Sequence, residues 1–458
     1  MYGPWLSLDV WTATRAGAAA IAARQRTRLA ELVAYARRRS PAYRERYAGL
    51  PDGIDRLDAL PPVDKATLMP QLDRWLTDPQ LDADEVARFA AQPTAIGSLL
   101  RGRYAVWKTS GTTGDIGLFV HDGFALTVYD TLFAARAWPE MSTPPAALGL
   151  ARHGGRMACV LAREDHFAGI SSWRHQARAY PWLAPLMRDF SVLTPLPELC
   201  RQLEAWDPGQ IVAYPSVLSL LARERLAGRL RLDPAIVLAG GETLDAAEQE
   251  LIEGALGARV HNVYACSECD YVAFACPHGW LHVNADWVIL EPIDADGRPT
   301  PPGAASATCL LTNLANRVQP VIRYDLKDSV TLKPEPCPCG RSLPAIRVEG
   351  RVNQHLEFAD AEGGTVAVLP LAIGTILEAV DGLRRFQVVQ TGRRSVEVRC
   401  EPAPGAVGED VHRRTRAAVR GYLGSHGLDG VQVGIADQPP HVDPVSGKLQ
   451  QVIRDPRL

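Results

Sequence analysis

The sequence has no long hydrophobic run and no marked excess of charge of either sign. Its 458 residues carry 49 lysines and arginines against 52 aspartates and glutamates, a formal net charge of -3. No apolar run approaches the roughly 18 residues of a membrane-spanning helix, and the near balance of charge gives no electrostatic reason to expect a nucleic-acid or membrane partner. We therefore expect neither. Because the N-terminus lacks the charged-then-apolar pattern of a secretory signal, we expect a cytoplasmic protein.

Other absences exclude particular kinds of nucleotide-binding site and of fold. The sequence contains no GxxxxGK[ST] motif, so the lysine that P-loop enzymes place against the terminal phosphates has no counterpart at that position. It also contains no internal repeat and no low-complexity tract. Nine cysteines in a chain without a secretion signal favour free thiols or metal ligands over a disulfide framework.

The order of apolar segments predicts an α/β protein. The arginine-rich stretch 15–46 resembles a transit peptide in composition, but its apolar residues Leu29, Leu32, Val33 and Ala36 repeat at helical spacing and indicate an amphipathic helix instead. From residue 104 onward, short strands alternate with helices, which predicts a sheet with a large parallel part. We predict strands at 104–109, 157–161, 236–239 and 260–264, with helices at 124–138, 217–226 and 245–256. After residue 350, strands at 386–390, 396–400 and 431–435 and a helix at 408–423 predict a small α+β unit.

The most distinctive stretch follows the first of these strands. It consists of six consecutive small or hydroxyl residues, Thr109, Ser110, Gly111, Thr112, Thr113 and Gly114. Glycine lets backbone N–H groups approach an anion and hydroxyls donate further hydrogen bonds, so the composition suits a phosphate. Ordinary polar turns have the same composition, and both interpretations stand on this stretch alone.

Polar residues also follow later strands, at the edge where parallel sheets bind their ligands. Each of these loops is a weak signal by itself, since a Gly-Gly-Glu sequence often precedes a helix and a single lysine is usually solvated. Together with a lysine near the C-terminus, these residues are Gly240, Gly241, Glu242, Tyr264, Ser267, Glu268, Asp328 and Lys448.

In this order, the motifs TSGTTG, GGE, YACSE, RYDLKD, GR and SGK resemble those of the adenylate-forming superfamily, and within it those of the phenylacetate–CoA ligase-like enzymes. The resemblance covers nearly the whole chain. It implies an α/β fold with a large N-terminal domain of mixed and parallel sheets over 1–350. It also implies a small, mobile α+β domain over 351–458 that carries the catalytic lysine, and a homodimer.

The resemblance implies ATP-dependent adenylation of a carboxylic acid, release of pyrophosphate and formation of a thioester with CoA. Attack of a carboxylate on the α-phosphorus brings two anions together, so a cation and a lysine are needed to offset the repulsion. Glu268 is the implied Mg²⁺ ligand, since Mg²⁺ prefers carboxylate and phosphate oxygens, and Lys448 is the implied catalytic residue. The implied nucleotide-binding residues are Thr109 to Gly114, Gly241, Glu242, Tyr264, Ser267, Asp328 and Arg351.

Four residues depart from the family pattern. Ala265 and Lys327 replace glycines, Ile116 replaces a proline, and Asn353 replaces an aspartate. The departures motivate an alternative within the same fold, in which the enzyme activates nitrite to diazotise an aryl amine or passes the acyl group to an acceptor other than CoA. A third interpretation, a non-catalytic nucleotide-binding protein, is disfavoured because the implied lysine and carboxylates are all retained.

A cluster of cysteines and histidine predicts a structural zinc site. Three cysteines and one histidine form a standard tetrahedral zinc set, and the glycine after the Cys-x-Cys pair permits a tight turn beneath the metal. Some phenylacetate–CoA ligase relatives look the same at these positions. The predicted ligands are Cys276, His282, Cys337 and Cys339, with Cys269 or His278 as competing ligands.

The acid-binding pocket is the least defined part of the prediction. His166, Phe167, Tyr214 and Gly240 stand where the family builds its pocket, and aromatic side chains there suit an aromatic acid. Aromatic residues of an α/β domain are also common in its core. The sequence therefore predicts an aryl-acid substrate only from the position of these residues.

Overall fold

The structure, a computed structural model, describes residues 3–109, 116–349, 356–441, 449 and 451–454. The predicted phosphate loop after Thr109, the implied nucleotide-binding Arg351 and the implied catalytic Lys448 lie outside these residues. Within the described ranges, no helix is both long enough and apolar enough to cross a lipid bilayer.

The chain begins with six helices, α1 to α6: Gly3–Arg15, Gly17–Arg39, Pro41–Arg46, Lys65–Leu68, Leu72–Trp75 and Ala83–Ala90. Helix α2 buries the four apolar residues that predicted an amphipathic helix, which confirms that prediction. Asp64 caps α4, because its side chain accepts a hydrogen bond from the Thr67 amide at 2.9 Å. The cap places Lys65 at the first position of the helix.

A two-stranded ribbon and three helices follow: β1 (Ala105–Lys108), β2 (Leu118–His121), α7 (Gly123–Leu132), α8 (Trp138–Met141) and α9 (Pro144–Arg152). The predicted strand at 104–109 is present as β1, and it pairs with β2 in a separate antiparallel sheet, outside the large sheet. The predicted helix at 124–138 is interrupted. Between α7 and α8, residues Phe133–Ala137 form a π-helical turn, a feature often found at functional sites.

Strands and helices then alternate to build the parallel half of a nine-stranded sheet. The parallel strands lie in the order β4-β3-β5-β6-β7. The elements are β3 (Met157–Leu161), α10 (Ala168–Ala179), β4 (Met187–Ser191), α11 (Leu196–Trp206), β5 (Gln210–Ala213), α12 (Pro215–Leu226), β6 (Ile236–Gly240), α13 (Ala246–Leu256) and β7 (Val260–Cys266). The five predicted segments β3, α12, β6, α13 and β7 are present, with ends that differ from the prediction by at most two residues.

The sheet continues beyond β7 with antiparallel strands in the order β8-β9-β14-β13. A separate three-stranded sheet, β10-β11-β12, lies between them in sequence. The strands are β8 (Cys269–Ala275), β9 (Leu281–Val283), β10 (Val288–Ile293), β11 (Thr308–Asn313), β12 (Tyr324–Asp325), β13 (Ser329–Leu332) and β14 (Ala345–Glu349).

The described residues after 355 form a hairpin and a four-stranded sheet, ordered β19-β18-β17-β20. The elements are β15 (Leu356–Ala359), β16 (Thr365–Val368), α14 (Pro370–Glu378), β17 (Leu383–Gly392), β18 (Ser395–Pro402), α15 (Gly408–Ser425), β19 (Gln432–Ala436) and β20 (Val452–Arg454). The predicted strands and helix of this part are all found, and the predicted α/β class with a smaller C-terminal α+β region is confirmed.

Candidate active site

A cavity of about 940 Å³ is enclosed by one face of the large sheet, helix α10 and the π-helical turn. Side chains alternate between the two faces of a strand, so every second residue of a strand faces the same side of the sheet. The intervening residues of these strands pack against α11, α12 and α13 in the core. The lining residues on this face include Gln210, Val212, Leu238, Gly240, Val263 and Ala265.

The loop after β6 is shaped by Gly241. Its φ of +80° is a left-handed conformation that favours glycine, and an added Cβ would lie 2.8 Å from a ring carbon of Tyr214. The next residue, Glu242, accepts a hydrogen bond at 3.0 Å from the Ser216 amide, which lies in the first turn of α12. The loop therefore closes tightly against Tyr214, and both Gly241 and Glu242 line the cavity.

Near the end of β7, the side chain of Tyr264 and the carboxyl groups of Glu268 and Asp328 lie close together. The Tyr264 hydroxyl donates a hydrogen bond to Asp328 Oδ2 at 2.8 Å. Glu268 is buried, and burial, with a further contribution from Asp328, raises its pKa to about 7, while Lys65 acts in the opposite direction. A cation bound here would offset this concentration of buried negative charge.

Lys65 connects this carboxylate cluster to the start of the predicted phosphate loop. Its Nζ lies 3.3 Å from Thr109 Oγ1. Thr109 and Gly117 exchange two hydrogen bonds of 2.9 Å, so they hold together the two ends of the segment between them. A Cβ at Gly117 would lie 2.8 Å from Thr109 Oγ1. Sequence reasoning missed both Lys65, in a region interpreted as packing, and Gly117.

The turn that carries Ser267 is supported by a buried histidine. His121 Nε2 lies 2.9 Å from the Ser267 carbonyl oxygen, which can only accept, so this nitrogen carries the proton. His121 Nδ1 lies 3.1 Å from the Tyr129 hydroxyl. Burial lowers the pKa of His121 to about 3, and the ring is therefore neutral.

Lys327 occupies a glycine-like backbone position before Asp328. Its φ of +60° explains why glycine is the residue found there in the family that the sequence resembles. The Lys327 amide donates to Asp325 Oδ1 at 3.0 Å, and its Nζ forms an ion pair with the same carboxylate. These contacts offset a conformational cost of about 1–2 kcal/mol.

Three of the four predicted pocket residues line the cavity: Phe167, Tyr214 and Gly240. The structure places His166 elsewhere. It is buried, with Nε2 at 2.9 Å from the Gln92 carbonyl oxygen and its ring edge-on to Phe89. The cavity is also lined by Lys108, which forms an ion pair with Asp165.

The C-terminal region contributes to the same cavity. Its lining residues come from α14, β20 and the chain just before β20, and Leu449, which follows Lys448 in sequence, is among them. The cavity is therefore bounded by both the large sheet and the C-terminal region. The C-terminal lining residues are Pro370, Leu371, Gly374, Thr375, Glu378, Leu449, Gln451 and Val452.

Solved structures share this architecture. The chain is similar to 2-hydroxyisobutyryl-CoA ligase with 2-HIB-AMP and CoA in the thioesterification state, at 20% identity and a TM-score of 0.60, over 97% of this chain and 91% of that one. The same ligase in the postadenylation state with R3-HIB-AMP gives 19% identity and a TM-score of 0.56, over 97% and 92%. The chain has the fold of adenylate-forming acyl-CoA ligases. No protein-family model matches the sequence, and no curated protein is similar to it in sequence.

This fold agrees with the fold that the predicted resemblance implies. An open conformation of the same ligase, with 2-HIB-AMP and CoA, matches at 19% identity and a TM-score of 0.53, over 94% of this chain and 90% of that one. The narrower resemblance to phenylacetate–CoA ligase-like enzymes stays a prediction.

The fold also brings the side chains of the four predicted zinc ligands together, at a place that does not line the cavity. The ligand atoms of Cys276, His282, Cys337 and Cys339 all lie within 4.8 Å of one another. Neither competing ligand, Cys269 or His278, belongs to the group found among the described residues.

The geometry of the cluster fits zinc. Two sulfurs bound tetrahedrally at about 2.3 Å from zinc lie about 3.8 Å apart, and 3.7 Å separates the sulfurs of Cys276 and Cys337. His282 Nδ1 lies 2.9 Å from the Leu343 carbonyl oxygen, which fixes the tautomer that leaves Nε2 for a metal. Nε2 lies 3.1 Å from the Cys339 sulfur.

Proposed function

We propose that this protein is an AMP-forming ligase that adenylates a carboxylic acid with ATP and then forms a thioester with CoA. One observation carries the proposal: Lys65, Thr109, Glu268 and Asp328 come together beside a large cavity that is otherwise mainly apolar. Such an arrangement provides a polar site for a metal–nucleotide complex and an adjoining pocket for an acid. The adenylate-forming fold supports it.

In this proposal the nucleotide occupies the polar side of the site. Thr109, Ser110, Gly111, Thr112, Thr113 and Gly114 bind the β- and γ-phosphates, and Ser267 contacts the α-phosphate. Tyr264 stacks on adenine, with Gly241 and Glu242 beside it. Asp328 accepts hydrogen bonds from the ribose hydroxyls, which are stronger for being charge-assisted, and Arg351 completes the nucleotide site.

Glu268 is the residue that would hold Mg²⁺, which is a hard cation and suits a carboxylate oxygen. Its burial supports this role, because burial is the main cause of the raised pKa of Glu268 and a bound cation would favour the charged carboxylate. When bound, Mg²⁺ neutralises part of the triphosphate charge. We assign Lys65 to the same phosphates from the other side, since it lies against Thr109.

The reaction has two steps. A carboxylate oxygen of the acid attacks the α-phosphorus, and the bond between that phosphorus and the bridging oxygen of pyrophosphate breaks. Lys448 stabilises the charge that develops in this step. The CoA thiolate then attacks the acyl carbon, and AMP leaves. That Leu449, the residue after Lys448, lines the cavity supports the role given to the lysine.

The cavity supports an aromatic acid. Phe133, Trp138, Trp173 and Tyr271 supply flat apolar surfaces, and Phe167 and Tyr214 lie near the proposed nucleotide. We further propose a structural zinc bound by Cys276, His282, Cys337 and Cys339, since four protein ligands leave no open position for water.

The experiment is a pyrophosphate-release assay with ATP, Mg²⁺ and a panel of benzoate, phenylacetate, cinnamate and their amino and hydroxy derivatives. Each acid is tested with and without CoA and nitrite. We expect release that requires an acid and a thioester that requires CoA. Lys448→Ala should lower the rate at least 100-fold, whereas Lys333→Ala, a lysine paired with Glu335, should leave it nearly unchanged. Release only with nitrite and an amino-aryl compound, or no release at all, would contradict the proposal.

A further inference from the structure

Among the polar residues that line this mainly apolar cavity, four come from three elements of the large domain's cavity wall. Ser172 and Gln176 lie one turn apart on α10, so they share one face of the helix. Gln210 comes from the start of β5 and Asp270 from β8. None of the four was predicted from the sequence as a site residue.

Asp270 is a buried carboxylate with little compensation. It is 8% exposed, and the hydrogen bond it accepts from Ser172 Oγ, on Oδ2, is long at 3.3 Å. Within the part of the chain that the structure describes, no lysine or arginine forms an ion pair with it. A carboxylate can accept about four hydrogen bonds, and burying one without partners is costly. Its position on the cavity wall leaves the remaining acceptor sites open to a bound molecule.

Gln210 provides a second, independent observation. Its side chain is 5% exposed, and its Oε1 is buried without a hydrogen-bond partner. Nearly all buried acceptors in proteins are satisfied, but this oxygen is covered in the present conformation, so a donor in the cavity reaches it only if the Gln210 side chain rotates toward the cavity that the residue lines. The two acceptors therefore favour a ligand that brings donors into an apolar pocket.

The position of Gln210 also indicates the length of the pocket along the sheet. Gln210 begins β5 and Ala213 ends it, at the edge beside Gly240 and Gly241. Three residues of a strand span about 10 Å. A molecule whose carboxylate lies at the Gly241 end therefore extends along the sheet, and a ring fits between the aromatic walls. Asp270 lines the same cavity as the aromatic residues Phe133 and Tyr271.

We propose that Asp270 selects an aromatic acid bearing an amino or hydroxyl group, which donates a hydrogen bond to its carboxylate within the cavity. This inference rests on the proposed function and specifies the substrate class of the same site. Ser172 orients the Asp270 carboxylate, and Gln210 accepts from a donor group that lies farther from the acid's own carboxylate. An unsubstituted aromatic acid would fill the same space but leave the Asp270 carboxylate unsatisfied.

The test compares matched acids, such as benzoate, aminobenzoates and hydroxybenzoates, and the corresponding cinnamates. Affinity is measured by calorimetry without ATP, and kcat/KM by pyrophosphate release. We expect the wild-type protein to favour at least one amino or hydroxy acid over its parent acid by about tenfold or more. Asp270→Leu should remove this preference, bringing the ratio to within about twofold of one. The amino and hydroxy arms identify the donor.

Two further variants keep the test decisive. Asp270→Asn preserves size and polarity, so it serves if Asp270→Leu does not fold, and it should reduce the preference severalfold because the charge-assisted bond is lost. Asp130→Asn is the matched control, a largely buried carboxyl that raises the pKa of Asp270 but is not among the residues that line the cavity. It should retain the preference.

The two proposals fail in different ways. Absence of pyrophosphate release with every acid contradicts the proposed ligase, and the calorimetric ratio still decides the role of Asp270. Turnover of acids without any preference for a donor group, a preference that survives in Asp270→Leu, or no binding of any substituted acid overturns the role of Asp270.

Discussion

At the scale of single residues, the protonation state of His121 follows from its surroundings. The ring packs against Trp107 at a tilt of 35°, with ring centroids 4.0 Å apart, and its Nε2 donates to the Ser267 carbonyl oxygen. Burial is the dominant effect and lowers the pKa, while the hydrogen bond to Ser267 raises it. Because Ser267 precedes Glu268, the neutral histidine supports the turn that carries the proposed Mg²⁺ ligand.

This state predicts a pH dependence of stability. The pKa of His121 is about 3 in the folded protein against 6.5 ordinarily, so between these values the unfolded chain binds a proton that the native protein does not. Stability should therefore fall as the pH falls below about 6.5, with a contribution of about 2 kcal/mol by pH 5. Denaturant unfolding of wild type and His121→Gln at pH 5 and 7 measures it. The variant should lose less stability on acidification than wild type.

Other buried groups make a difference measurement necessary. Burial raises the pKa of both Glu268 and Asp270 to about 7, so these groups bind protons more readily in the folded state and act in the opposite direction. Their effect is common to wild type and variant and cancels in the comparison. His441→Gln, at an exposed histidine, is the control, and equal acid sensitivity of His121→Gln and wild type would contradict the prediction.

Several residues of the candidate site could be predicted from the sequence immediately around them. The Gly240-Gly241-Glu242 loop follows a short apolar strand and precedes a helix, and Tyr214 also lies at the end of a strand, so sequence alone indicates the ligand-binding edge. Lys65 gives no such signal, because it begins a four-residue helix in a region of ordinary packing. Its importance comes from a contact with Thr109 that spans 44 positions in the sequence.

At the scale of elements, the length and ends of strands were easier to predict than their partners. Strand β3 has the predicted ends, 157 and 161, because a short apolar run between polar segments defines it. The first three residues of β1 are also apolar, yet this strand pairs with β2 outside the large sheet. Pairing depends on long-range packing, which a local pattern does not contain. The π-helical turn at Phe133–Ala137, which helps to shape the cavity, is likewise invisible to helical periodicity.

The proposed zinc site links β9 and the turn before β14, so a metal bound there should stabilise these elements. Cys276 and Cys337 are 61 positions apart in the sequence, so a metal bound by both would close a long loop. We expect one zinc per chain by elemental analysis. Cys339→Ser should abolish zinc binding and lower the unfolding midpoint by about 5 °C or more.

The matched control for this variant is Cys400→Ser, which changes a cysteine of similar intermediate burial in β18, far from the cluster in sequence. It should keep its zinc. Zinc retained in full by Cys339→Ser, or a chelator that removes zinc from wild type without changing the unfolding midpoint, would show that the cluster does not act as a structural metal site.

At the scale of the whole molecule, the distribution of lysine is uneven. The chain has only five lysines, at positions 65, 108, 327, 333 and 448, among its 49 basic residues. Arginine thus supplies most of the ion pairs on the surface. Of the four lysines that the structure describes, Lys108 lines the cavity, and Lys65 and Lys327 lie beside the carboxylate cluster. Lysine, a compact charge on a flexible stem, is concentrated where a polyanion is proposed to bind.

Substitution of Lys65 is the most direct test of whether these lysines contribute to ATP binding, because Lys65 lies near both Thr109 and the buried Glu268. Removing its charge should weaken transition-state binding of the triphosphate, so Lys65→Met should lower kcat/KM for ATP by about 100-fold. Lys65→Arg retains the charge with a different geometry and should lose less. Lys333→Met, at a lysine paired with Glu335, should change kcat/KM by less than about twofold. An equal effect of the Lys65 and Lys333 variants would mean that the position of Lys65 beside the loop has no part in binding ATP.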